Sequence, residues 1–181
     1  MGEKDLLPDD DALFDACAEL IALATARGVS VGTAESCTGG LVCGCLTAVP
    51  GSSAAVRGGV VSYAVAVKRA VLGVSGEVLD DPALGAVSAE CAEQMAQGAR
   101  RTLGCDVAVS VTGIAGPGGE EPGKPVGTVW FGLATPAGAR ALRRLLPGDR
   151  AEVRLGAVRQ AVALLREGVM ETGFSAGRPR P

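Results

Sequence analysis

Histidine is absent from this 181-residue sequence, and that gap removes the Ser-His-Asp triad, the Cys-His pair and every histidine-containing zinc site. A basic excess is missing as well. Charged residues make up 20% of the chain and the formal net charge is -3, which leaves no electrostatic footprint for stable nucleic-acid binding and makes a small molecule the expected partner. No basic-then-apolar leader and no apolar run of membrane-spanning length occurs. The first ten residues, MGEKDLLPDD, are acidic, so the expectation is a cytoplasmic protein with no membrane contact. The glycine-rich segments carry neither the Gly-Lys-Ser/Thr ending of a Walker A loop nor the Gly-x-Gly-x-x-Gly dinucleotide fingerprint, and no internal repeat is found.

What is present suits one compact domain. With 48% hydrophobic residues the chain has enough apolar side chain for a single core, expected over residues 1–170 with a disordered tail at 171–181. Six cysteines, Cys17, Cys37, Cys43, Cys45, Cys91 and Cys105, are scattered through apolar helix and strand patterns and read as small buried hydrophobes rather than a disulfide framework. Cys43 and Cys45 lie two apart in a helical pattern and so point to different sides of it, which argues against a cysteine-only metal site. Neither a metal nor a cofactor is expected.

Hydrophobic periodicity organises the chain. Residues 11–27 read as an amphipathic helix, with Asp9 and Asp10 as candidate N-caps and Gly28 as its end. A short β-branched run over 29–35 reads as a strand that passes through a tight turn into a helix ending at Pro50-Gly51. A second strand is expected over 58–64, followed by Val67-Lys68-Arg69-Ala70-Val71, whose lysine falls about one helical turn after the strand end. Residues 88–103 form a helix capped by Ser88 and lead into a strand over 106–112. After an irregular Gly/Pro segment, 127–135 and 139–146 form a hairpin. The last helix opens at Gly148-Asp149, with Glu152 at capping-box spacing and an apolar stripe through Val158, Ala161, Val162 and Leu165. Strands alternating with helices, plus one terminal hairpin, predict a three-layer α/β/α sandwich with a mixed, mostly parallel sheet.

One turn draws attention as a site of chemistry. Glu35-Ser36-Cys37-Thr38-Gly39-Gly40 lies where a strand hands over to a helix, so its N–H groups and the positive end of the helix dipole suit an anion or a developing oxyanion. Ser36 there either attacks a carbonyl carbon, with the amides of Cys37 to Gly39 stabilising the negative oxygen, or merely caps the helix while the glycines permit the turn. Cys37 competes for the nucleophile role, because a thiol at a helix N-terminus has a lowered pKa. Without histidine, the base must be another group. Lys68, in a largely apolar segment, is the candidate, since desolvation favours the neutral amine, and Tyr63 is placed to share or relay the proton; the alternative is a solvated lysine and a strand-end aromatic. The loop Thr112-Gly113-Ile114-Ala115-Gly116-Pro117-Gly118-Gly119 lets a ligand approach the backbone or serves as a flexible connection. Arg150, at the start of the last helix, suits a phosphate.

Taken together, the segments TAESCTGG (33–40), GGVVSYAVAVKRAVLGV (58–74), VTGIAGPGG with KPVGTVWFGLA (111–134) and GDR (148–150) resemble the CinA C-terminal domain family, in order over roughly residues 10–168. Stand-alone members of that family are nicotinamide-nucleotide amidases of the PncC type, commonly dimeric, with a three-layer α/β/α fold. The resemblance implies conversion of nicotinamide mononucleotide to nicotinate mononucleotide and ammonia. It implies a catalytic group of Ser36, Tyr63 and Lys68, and substrate binding by Arg150, by Thr112, Gly113, Ala115 and Gly116, and by the turn Cys37, Thr38, Gly39 and Gly40. One departure stands out: the family usually has asparagine two residues after the tyrosine, and this chain has Val65. The family also includes longer proteins with a second, N-terminal domain.

Overall fold

A computed structural model describes residues 10–173; most of the expected disordered tail lies outside that range. Helix α1 (Asp11–Arg27) starts where the Asp10 side chain accepts the Leu13 N–H and stops at Gly28, which takes a left-handed φ of 66°. Strand β1 (Val31–Glu35) is followed by α2 (Leu41–Thr47), a single 3-10 turn (Ser52–Ala54) and β2 (Val56–Val61). Helices α3 (Val65–Leu72), α4 (Gly76–Leu79) and α5 (Ala89–Leu103) come next, the last capped by the Ser88 hydroxyl on the Cys91 N–H. Strands β3 (Val107–Gly113), β4 (Thr128–Thr135) and β5 (Gly138–Leu145) precede α6 (Arg150–Glu171), which opens with the reciprocal Asp149–Glu152 capping box. Strand boundaries shift by one to three residues from expectation, and two of the differences bear on the site and the tail. The second strand ends at Val61 rather than Ala64, because its ladder partner β1 ends at Glu35, opposite Val61. Helix α6 runs through Glu171, one residue into the stretch expected to be a tail.

The sheet order is β2-β1-β3-β4-β5. Strands β2, β1 and β3 pair in parallel, and the β3–β4 and β4–β5 pairings are antiparallel. Only β4 therefore runs against the rest, although half of the pairings are antiparallel. Helices α1, α2 and α6 cover one face over a core that includes Leu20, Val31, Val109, Phe131, Val158 and Leu165. The other face carries α3, α4 and α5 over Leu72, Val78, Met95, Ala99 and Ala108. Each fully buried leucine in these clusters contributes about 2 kcal/mol by leaving water.

Two features position the edge where chemistry is expected. The connection through α2 carries the chain from β1 to β2 on one side, whereas β3 lies on the other side of β1. The segments that leave β1 and β3 thus open a crevice at the carboxyl ends of the strands, where open α/β sheets bind ligands. The second feature is a close approach of α3 and α5. A Cβ at Gly98 would collide with the Leu72 carbonyl, and the same helix end is pinned by Arg101 Nη2 on Leu72 O and Thr102 Oγ1 on Val71 O, both at 3.1 Å. Glycine at 98 lets α3 settle against α5 and the sheet edge.

Candidate active site

Strand β1 ends at Glu35, and the next residue, Ser36, donates its N–H to Val111 O on β3 at 2.9 Å. The serine is thereby anchored at the sheet edge with only 9% of its surface exposed. Lys68 reaches it from α3, in the opposite helical layer, with 1% exposure. Its Nζ lies 2.8 Å from Ser36 Oγ, 2.6 Å from Ser62 O and 3.4 Å from Tyr63 O. An uncharged amine has two N–H groups and one lone pair. As the ammonium, Lys68 donates to Ser36 Oγ as well as to the two carbonyls; once uncharged, with its two N–H groups on the carbonyls, it turns its lone pair to the hydroxyl and can accept the Oγ–H proton. Burial holds the Lys68 pKa below its ordinary 10.5; the nearby thiols of Cys91 and Cys37 oppose that shift without reversing it. Lys68 forms no ion pair with any described residue. A desolvated amine against a serine hydroxyl can take its proton and make it a nucleophile.

Two residues that the sequence reading passed over hold the turn from either side. Glu35, 1% exposed, accepts the N–H groups of Gly40 (2.9 Å), Val42 (3.0 Å) and Cys43 (2.8 Å) and the Thr33 hydroxyl (3.1 Å). The opening amides of α2 are therefore filled from within the protein. Hydrogen bonds to a carboxylate are each worth about 1.5–3 kcal/mol, so this one side chain is a major fastening. Arg154, on α6, donates Nε to Cys37 O (3.1 Å) and Nη2 to Thr38 O (3.0 Å). Gly39 N–H donates to Ser36 O at 3.1 Å. Among the described residues this leaves Thr38 N–H without a partner and Cys37 N–H with none outside its own residue. The oxyanion donors expected from Cys37 to Gly39 narrow to those of Cys37 and Thr38. Both fastening residues left a signal. Thr33 and Glu35 share one face of a strand just before a glycine turn, and Arg154 lies four residues after Arg150, on the same side of its helix.

The other expected residues divide. The Cys37 thiol is 6% exposed, and burial pushes its pKa up to about 11. That reverses the lowering expected at a helix start: desolvation outweighs the thiol's contact with its own backbone and the pull of the nearby Lys68 and Arg154. Tyr63 meets Lys68 only through its main-chain carbonyl. Its side chain is 65% exposed and hydrogen-bonds to no described residue, so the relay through its hydroxyl is absent from this arrangement. Gly39 and Gly40 take φ of 65° and 101°, values that make the turn possible. Thr112 does not present its hydroxyl to the crevice but donates it to Ala86 O at 2.6 Å. Gly113 is explained by packing, because a Cβ there would strike Thr128 O and Val129. Ala115 is buried in the core. Gly116 is also buried, and its carbonyl accepts Arg150 Nη1 at 2.8 Å; that exposed guanidinium ties α6 to the glycine loop. Val65 opens α3 and is exposed.

The family model of the CinA C-terminal domain matches residues 15–169. A CinA-like protein of Anaeromyxobacter sp. (strain K) is 52% identical over 147 residues, which cover 81% of this chain and 36% of that protein. A CinA-like protein of Mycolicibacterium vanbaalenii is 45% identical over 172 residues, 94% of this chain and 39% of that protein. The chain thus spans little more than a third of the length of these curated relatives. Among solved structures, a CinA superfamily protein from Klebsiella pneumoniae superposes with a TM-score of 0.83 at 36% identity, over 88% of this chain and 99% of that one. A competence/damage-inducible protein from Agrobacterium tumefaciens gives a TM-score of 0.80 at 43% identity, over 89% and 96% of the two chains. Among the described residues no helix is long and apolar enough to cross a membrane.

Proposed function

The chain belongs to the CinA C-terminal domain family, and on that premise we propose that it is a cytoplasmic amidohydrolase that converts nicotinamide mononucleotide to nicotinate mononucleotide and ammonia. The observation that carries the reading is the buried Lys68 amine 2.8 Å from Ser36 Oγ, with two carbonyls beside it to take its N–H groups. Lys68 accepts the hydroxyl proton as Ser36 Oγ attacks the carboxamide carbon. The carbonyl oxygen becomes negative and is held by the N–H groups of Cys37 and Thr38. When the C–N bond breaks, the nitrogen leaves as ammonia, taking its third proton from Lys68. Water then attacks the acyl ester, gives a proton to Lys68, and Ser36 departs and recovers that proton. The substrate phosphate is held by Arg150 and the glycine loop, so that binding energy far from the amide positions the reacting carbon. The dimeric state implied by the family resemblance belongs to the same proposal.

The test is ammonia release from nicotinamide mononucleotide in excess chelator. Activity that survives chelation and vanishes in both Ser36→Ala and Lys68→Met supports the scheme. Turnover that requires added metal, or that persists in Ser36→Ala, contradicts it.

A further inference from the structure

The turn that presents Ser36 is held by two opposite charges that pull on opposite backbone groups. Glu35 takes N–H groups from Gly40, Val42 and Cys43; Arg154 takes carbonyls from Cys37 and Thr38. In a trans peptide the N–H points opposite to the C=O of the same unit. Drawing Cys37 O toward the guanidinium therefore sends Thr38 N–H away from it, and that N–H has no partner among the described residues. The side chain of Thr38 does not fix this orientation, since its buried hydroxyl has no hydrogen-bond partner either.

We propose that Arg154 is a positioning residue for acyl transfer, aiming the Thr38 N–H at the oxygen that turns negative when Ser36 attacks. The inference rests on Ser36 being the nucleophile but not on the identity of the amide. Two successive peptide units held through their carbonyls by one planar fork are set in place before substrate arrives, which is what makes an oxyanion donor effective. Arg154 touches no reacting atom, so its effect belongs on the rate of acylation and not on the basicity of Lys68.

The experiment measures acylation of Ser36 by p-nitrophenyl acetate in the full chain, followed by p-nitrophenolate release and by the mass of the acetylated protein, across pH. In this step the Ser36 Oγ–C bond forms, the ester C–O bond breaks, p-nitrophenolate leaves with the electron pair and Lys68 holds the serine proton. Arg154→Met is expected to slow acylation about a hundredfold, the size of effect seen when one oxyanion donor is lost, with the midpoint of the pH profile unmoved. Arg154→Lys, whose single ammonium cannot reproduce the fork, is expected to fall between the two and serves as the deciding variant if Arg154→Met does not fold. With nicotinamide mononucleotide, kcat falls and KM holds. A folded variant that acylates at the wild-type rate overturns the inference, as does a loss confined to KM, a shifted pH midpoint, or a wild-type chain that is not acylated at Ser36. Wild type that is acylated yet releases no ammonia from the nucleotide defeats only the substrate reading, and the acylation rates still decide the role of Arg154.

Discussion

Two glycine-bearing turns leave neighbouring strands at the same edge of the sheet, and they are built to opposite plans. The turn after β1 is buried from Ser36 to Thr38 and fastened at three points: Glu35 holds its amides, Arg154 its carbonyls, and Val111 its serine. The loop after β3 is tied at its root, through Ile114 N–H on Thr128 O and Arg150 on Gly116 O, and again past its tip, where Arg143 donates to Gly123 O and Lys124 to Leu84 O, yet from Pro117 to Gly123 it is exposed. A site for acyl transfer needs its nucleophile and donors fixed in advance. A segment that receives the variable part of a ligand gains from being free to adapt. Under the proposed function, the difference separates the turn that does chemistry from the one that shapes around what is bound.

The comparison breaks most visibly at the amine. Lys68→Met is expected to lower kcat/KM for ammonia release by about 10³-fold, within the range for loss of a general base. In the wild type, activity should rise with pH through a midpoint below 10.5, because burial depresses the Lys68 pKa. Stability carries the same sign. Between the lowered value and 10.5 the unfolded chain binds more protons than the folded one, so folding strengthens as pH rises across that window. Melting temperatures of wild type minus Lys68→Met, measured against pH, should climb there; a flat difference would mean that the amine is not desolvated.

A smaller contrast sharpens the same point in the backbone. Gly40, at a φ of 101°, also donates to Glu35. Replacing it with alanine should cost about 1–3 kcal/mol in urea unfolding, since left-handed backbone strains a side chain. Gly118 has no atom within 4 Å of an added Cβ, and Gly118→Ala should stay within about 0.5 kcal/mol of wild type. Equal costs at the two positions would erase the distinction between a fastened turn and an exposed loop tip. Smallest of all, Cys37→Ala should release ammonia at the wild-type rate, because a thiol pushed to about 11 is protonated at neutral pH. It should lose only about 1 kcal/mol of stability from the missing buried sulfur. An inactive, folded Cys37→Ala would make the sulfur the nucleophile and Ser36 its neighbour.

Much of the fold was legible because its signals are local. The Asp10 and Ser88 caps, the Asp149–Glu152 capping box and the stripe of α6 are readable from a few residues each, and each recurs in the structure. Ser36 and Lys68 were legible as residue types in unusual surroundings, a serine at a strand-to-helix turn and a lysine in an apolar run. What stayed hidden depends on partners far apart in the chain. Arg154 meets Cys37 and Thr38 across more than a hundred residues, and its helical spacing from Arg150 marks a shared side of α6 without naming those partners. That Glu35 fills the helix start, and that burial raises the Cys37 thiol pKa rather than lowering it, both require the geometry. Thr112 and Gly113, grouped in the sequence with a binding loop, also serve the packing beneath it, which their spacing did not announce.

The seam at Gly98 ties the placement of the Lys68 amine to a backbone contact outside the serine turn. Leu72, whose carbonyl occupies the space a methyl group would need, is one helical turn beyond Lys68. Enlarging position 98 would push that turn outward and draw the amine off the hydroxyl while leaving every reacting residue unchanged. Anyone transplanting this serine–lysine pair into another scaffold would have to copy two backbones in contact as well as two side chains.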